Sequence, residues 1–88
     1  MIERKIKIKN KLGLHARPAA VFVKTASKFK SDISLIKDGQ QVNGKSIMGV
    51  LMLAAEKGSE VTLRIDGEDE IAAMETLLQL FENKFNEE

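Results

Sequence analysis

The chain's single histidine, His15, stands two residues before an arginine in the run Gly13-Leu14-His15-Ala16-Arg17-Pro18. Downstream, Ala19, Phe22, Val23, Ala26 and Phe29 recur at helical spacing, which predicts a helix from near Ala16 to near Lys28 with His15 immediately before it. Pro18 agrees with that start, because a proline in the first helical turn lacks only an amide hydrogen that has no intrahelical acceptor anyway. The amides of Ala16 and Arg17 are then open to an anion, the helix dipole favours negative charge there, and the Arg17 guanidinium adds a planar donor. Neutral imidazole is a nucleophile, and a phosphoryl group bound to it stays reactive enough to be passed on. The candidate chemistry is phosphoryl carriage on His15, with Arg17 stabilising the group and the backbone amides of Ala16 and Arg17 binding it. The plainer alternative is that His15 is only a polar N-cap.

Ser46 opens a second candidate site. It precedes Ile47, Met48, Val50, Leu51, Met52 and Leu53, and a serine at that boundary is a good N-cap for a short helix, whose expected stop is Gly58. Helical spacing puts Ile47, Met48 and Leu51 in an apolar patch beside His15 and turns Val50 and Leu53 toward the core. Methionine adapts to several partners, so Ile47, Met48 and Leu51, with Ala20 and Lys24, form the candidate partner surface. Ser46 and His15 together also raise a serine hydrolase, but nothing in the sequence ties an orienting carboxylate to His15 as a triad requires.

The elements that must carry these residues read as strand, helix, two strands, helix, strand, helix. Ile2, Ile6 and Ile8 share one parity against Glu3, Lys5, Lys7 and Lys9, with Arg4 the exception. The basic residues Arg4, Lys5, Lys7, Lys9 and Lys11 thus read as the solvated face of a strand. Ile33 and Leu35 alternate with Asp32 and Ser34, and Asp38-Gly39 predicts a hairpin into a short strand around Gln40 to Asn43. Val61, Leu63 and Ile65 form a fourth strand ended by Asp66-Gly67, after which Glu68, Asp69 and Glu70 favour a helix N-terminus. The last helix carries Ile71, Met74, Leu77, Leu78, Phe81 and Phe85 along one face, enough apolar surface to cover an antiparallel sheet. The fold class is α+β, order βαββαβα, with helices packed on one sheet face.

Composition narrows the function classes. Eighty-eight residues are expected to make one domain, 1–88, and the absence of cysteine removes disulfides and thiolate metal sites. No metal and no cofactor are expected. Fourteen basic against thirteen acidic residues lack the electrostatic footprint of a dedicated nucleic-acid binder. A sheet-surface RNA-binding domain of similar element order would stack bases on aromatic residues, yet tryptophan and tyrosine are absent and all four phenylalanines fall in predicted helices. No apolar run is long enough to span a bilayer and the first residues lack the apolar segment of a signal peptide, so the expected location is the cytoplasm.

The segment Gly13-Leu14-His15-Ala16-Arg17-Pro18-Ala19-Ala20 strongly resembles the HPr phosphocarrier family of the bacterial phosphoenolpyruvate-dependent sugar phosphotransferase system, and Asn43-Gly44-Lys45-Ser46-Ile47-Met48-Gly49-Val50 is similar to that family's regulatory serine segment. The resemblance covers the whole chain. It implies an open-faced sandwich of four antiparallel strands and three helices. It implies that His15 takes a phosphoryl group from phosphorylated Enzyme I and gives it to the A domain of a sugar-specific enzyme II, with Arg17 assisting. It further implies that an HPr kinase/phosphorylase modifies Ser46, giving a form that binds the catabolite control transcription factor. A regulatory-only branch of the family lacks the acceptor histidine, which this chain keeps. Carriers of the nitrogen branch share much of the first motif and are the alternative reading.

Overall fold

The computed structural model describes residues 1–86. Along the chain run β1 (Ile2–Lys7), α1 (Ala16–Ala26), β2 (Asp32–Lys37), β3 (Gln40–Asn43), α2 (Ile47–Met52), β4 (Glu60–Asp66) and α3 (Glu70–Glu82), followed by a 3₁₀ turn at Lys84–Asn86. All strand pairs are antiparallel and the sheet order is β1-β4-β2-β3. The helices cover one face, giving the α+β open-faced sandwich that the element order implies.

Alternation along the strands creates the two faces. Ile33 and Leu35 of β2 pair with Ile65 and Leu63 of β4, and these side chains are buried under the helices. The intervening residues form a polar outer face. There Arg64 donates to the Glu3 carboxylate and, at 3.2 Å, to Gln41 Oε1, while Gln41 Nε2 donates to Ser34 Oγ at 3.2 Å, so the chain of contacts touches all four strands. No phenylalanine lies in a described strand, so this face offers bases no stacking platform. Arg4, the residue out of pattern, stands opposite the core residue Leu63 but on the edge strand β1, where it stays exposed. A charge at that position discourages pairing with another strand edge.

The β2–β3 hairpin turns at Asp38 and Gly39, with φ +50° and +80°. Two successive positive φ values suit the type I′ turn, whose twist matches that of the flanking strands, and Asp-Gly tolerates them at least cost.

Above the sheet, α1 buries Pro18, Ala19, Phe22, Val23 and Ala26, and α3 buries Ala73, Met74, Leu77 and Phe81. The Phe22 and Phe81 rings meet edge to face at 5.8 Å, and Phe81 meets Phe85 at 5.0 Å. The third helix start is tied to the chain after α1: the Asp69 carboxylate accepts from the amides of Lys30 and Ser31, at 2.9 and 3.0 Å, and from the Ser31 hydroxyl. The Ser31 hydroxyl above all, then the amides, hold this carboxyl below its ordinary value.

Four details differ from the sequence expectation. Helix α1 stops at Ala26 rather than near Lys28: Ser27 N makes the last four-residue bond, to Val23 O, the Lys28 and Phe29 amides bond to carbonyls three residues back, and Phe29 is left half-buried outside the helix. Helix α2 stops at Met52, well before Gly58: Leu53 and Ala54 also bond three residues back, and Ala54 takes the left-handed φ of +49°. Ile71 is 67% exposed, since the buried stripe of α3 is centred between Ala73 and Met74 and Ile71 lies roughly 100° around the helix from it. Phe85 is buried but belongs to the turn beyond α3, where Lys84, Phe85 and Asn86 all have positive φ and fold the ring back onto Phe81.

Candidate functional site

His15 is the N-cap residue of α1, in extended conformation at φ −82° and ψ −168°. Its carbonyl accepts the first helical hydrogen bond, from Ala19 N at 3.0 Å, while its side chain makes no capping hydrogen bond. The reading of His15 as only a polar cap therefore loses its physical basis. At this helix start the amides of Ala16 and Arg17 have no intrahelical acceptor and Pro18 has no amide hydrogen to offer. Arg17 is exposed, in the first turn. A half-buried imidazole, two open amides, a positive dipole end and a guanidinium thus gather at one helix terminus, a set suited to an anion carried on the ring.

The loop leading to His15 is held at several points. Ile8 donates to Ser59 O at 2.9 Å and accepts from Gly58 N at 2.8 Å, which extends the β1–β4 edge beyond the strands. Asn10 is only 1% exposed; its side-chain amide donates to Gly13 O at 2.6 Å, and its carbonyl accepts from Gly13 N at 3.1 Å. Gly13 has φ +69°, and a Cβ there would lie 2.2 Å from Ala55 O, so only glycine permits this approach. Leu14 N then donates to Ala55 O at 2.8 Å. The histidine is thereby seated on the segment that leaves α2. Sequence reasoning found the turn at Gly13 but missed Asn10 and Ala55. An asparagine at the start of a turn ending in glycine was the one available signal.

Ser46 is the N-cap of α2, and its Oγ accepts from Gly49 N at 3.1 Å. The preceding turn is tied down as well: Asn43 Oδ1 accepts from Lys45 N at 2.8 Å and Lys45 Nζ donates to Phe29 O at 2.7 Å. The capping role expected of Ser46 is thus seen directly.

Helix α2 packs against α1. On α2, Ile47 and Met48 are exposed, Leu51 is half-buried, and Val50 and Leu53 are buried, in the division the spacing implied. Met52 and Leu12, at 65% and 70% exposure, extend the apolar surface and were not anticipated. On α1, Ala16, Ala20 and Lys24 recur four residues apart and are all exposed, a single stripe running from the His15 end of the helix. Lys24 also sits in the last turn, where a positive charge complements the dipole.

Known proteins with this arrangement are similar along the whole chain. The family profile described as "PTS HPr component phosphorylation site" matches residues 2–83. The chain belongs to the HPr family. The phosphocarrier protein HPr of Xylella fastidiosa is 54% identical over 88 residues, covering 100% of this chain and 99% of that protein. The crystal structure of HPr-C-His from Thermoanaerobacter tengcongensis superposes with a TM-score of 0.96 at 55% identity, covering 100% of this chain and 99% of that one. The solution structure of Crh, the Bacillus subtilis catabolite repression HPr, matches with a TM-score of 0.67 at 50% identity over 91% of this chain and 95% of that one. HPr membership carries a phosphocarrier role in the phosphotransferase system. Among the described residues no helix is long and apolar enough to cross a membrane.

Proposed function

We propose that His15 is the phosphoryl acceptor and that the chain, acting as one domain over 1–88 in the cytoplasm, relays the group from phosphorylated Enzyme I to the A domains of sugar-specific enzymes II. In the uptake step the lone pair of a ring nitrogen forms a bond to phosphorus as the bond from phosphorus to the donor breaks; in the second step the N–P bond breaks as the acceptor attacks. The observation that carries this reading is the His15 ring at the start of α1 without a capping bond, which leaves the Ala16 and Arg17 amides for the phosphoryl oxygens. Arg17 stabilises the charge on the moving group through its fork of donors. Ala20, Lys24, Ile47, Met48 and Leu51 form the surface on which partners dock, with Met52 added by its exposure.

Ser46 is a regulatory phosphorylation site in the same reading, used by an HPr kinase/phosphorylase and read by the catabolite control transcription factor. Similarity to a catabolite repression HPr supports this, as does the position of the hydroxyl at a helix start that tolerates negative charge. The deciding experiment for the carrier role is intact-protein mass spectrometry after incubation with phosphoenolpyruvate and Enzyme I. Wild type gains one acid-labile phosphoryl group and His15→Ala gains none; equal labelling of the variant removes His15 from the role.

A further inference from the structure

We propose that Asn10 is a positioning residue for phosphoryl transfer, acting on His15 through Gly13 and Leu14. The inference rests on His15 being the acceptor. Asn10 and Ser31 are the buried polar residues of the described chain, at 1% and 2% exposure. Ser31 has a structural explanation in its bonds to Asp69. The β1–β4 pairing does not need Asn10, because Ile8 already holds the start of the loop through Ser59 and Gly58. Nor is it needed to bury Leu14, an apolar side chain that enters the core on its own account. What Asn10 adds is definition between those anchors. Its side-chain amide and its carbonyl both bond to Gly13, at 2.6 and 3.1 Å, closing the turn from two sides.

That closure orients the Gly13 carbonyl and presses the glycine against Ala55, where a Cβ would lie 2.2 Å from the Ala55 oxygen. The next amide, of Leu14, is then in place to donate to the same oxygen at 2.8 Å. His15 follows with its backbone extended, so that its ring stands off the helix amides instead of capping them. Without the Asn10 amide, Gly13 O in this dry turn loses its donor and the short link to His15 gains freedom. In-line transfer between two proteins is sensitive to this, because a misplacement of about 1 Å at the reacting atoms costs on the order of 100-fold in rate.

The test uses full-length Asn10→Asp, Asn10→Ala and Asn10→Ser. Asp keeps the shape and an acceptor but loses the donor, Ala loses both, and Ser restores a donor on a shorter arm. Rapid-quench transfer from phosphorylated Enzyme I is read beside Tm and the NMR resonances of the His15 ring. Expected are a fall of roughly 10- to 100-fold in the transfer rate for Asp and Ala, a KM for the carrier within about twofold of wild type, displaced His15 ring resonances, and partial recovery in Ser. A folded Asn10→Ala that transfers at the wild-type rate overturns the proposal. So does a loss confined to KM with the His15 ring resonances unmoved, which would make the loop part of the docking surface only. Should Ala and Asp not fold, the same readouts on Ser, whose shorter arm reaches Gly13 O less well, decide: a normal rate with unmoved ring resonances overturns the proposal, and a slowed rate with displaced resonances sustains it. A wild-type chain that Enzyme I does not label removes the His15 reading first, and this inference with it.

Discussion

At the start of α1 the His15 ring makes no capping bond, whereas at the start of α2 the Ser46 hydroxyl accepts one from Gly49 N at 3.1 Å. Both residues are extended N-caps, and both helix starts present amides and a positive dipole end. They differ in whether the side chain caps its own helix. The ring does not cap its helix, and in the proposed function the amides serve a group that it carries. The hydroxyl is spent on its own helix, so that any phosphate placed on Ser46 must take over the cap. In the proposed function the first terminus serves turnover, and the second, capped for stability, carries regulation in addition.

The largest effect that could break this comparison is at His15. Its replacement by alanine is expected to abolish Enzyme I-dependent labelling while leaving the domain folded, because the ring does not cap its helix. Mass spectrometry and thermal melting read the two separately, and a large fall in Tm would show that the ring supports its helix after all. Next comes Arg17→Ala, expected to slow transfer by about 100-fold, the usual cost of removing one donor from developing charge, with Tm unchanged. Arg17→Lys should recover only part of the rate, having the charge without the fork. An unaltered rate in rapid-quench experiments takes Arg17 out of the mechanism.

Ser46 should behave in the opposite sense. Ser46→Ala is expected to cost about 1 kcal/mol in chemical denaturation through loss of the cap, with transfer at His15 preserved. Ser46→Asp keeps a cap and should melt near wild type, yet raise the KM for the carrier with Enzyme I, since its charge lies beside Ile47 and Met48 at the proposed docking surface. If Ser46→Asp melts well below wild type, the serine is mainly structural. Met48→Asp, at a residue 68% exposed, is expected to weaken Enzyme I binding with a stability change within about 0.5 kcal/mol. A large stability loss with normal binding would place Met48 in the packing.

The smallest effect concerns the third helix start. Asp69 is held below its ordinary pKa by the Ser31 hydroxyl and the amides of Lys30 and Ser31. Protons therefore bind the unfolded chain more readily, and the stability this carboxylate contributes is present above about pH 3.9 and is lost as pH falls through its lower folded value. Asp69→Asn should flatten the acid limb of Tm against pH below about pH 4. An acid limb as steep as that of wild type would assign the acid sensitivity to other carboxylates, such as Glu70, which is also lowered, chiefly by the Gly67 amide.

Local chemistry made much of this protein legible from its sequence alone. Period-two alternation defined the sheet faces around Ile33, Leu35, Leu63 and Ile65, Asp38-Gly39 fixed the hairpin, and Pro18 and Ser46 marked helix starts that depend only on neighbours within a turn. The pairing of His15 with Arg17 was visible for the same reason, and so was the division of α2 into exposed Ile47 and Met48 and buried Val50 and Leu53. Tertiary structure alone decided the rest. That Leu14 N finds its acceptor at Ala55 O, and that Asn10 is buried where β1 meets the segment after α2, are set by tertiary contacts. The early end of α2 at a left-handed Ala54, the exposure of Ile71 and the return of Phe85 onto Phe81 likewise follow from contacts that hydrophobic periodicity does not encode. Periodicity reports which side of an element is apolar. It carries no information about which distant carbonyl or ring will occupy that side, and the Ala55 carbonyl that receives Leu14 N, next to His15, is one such partner.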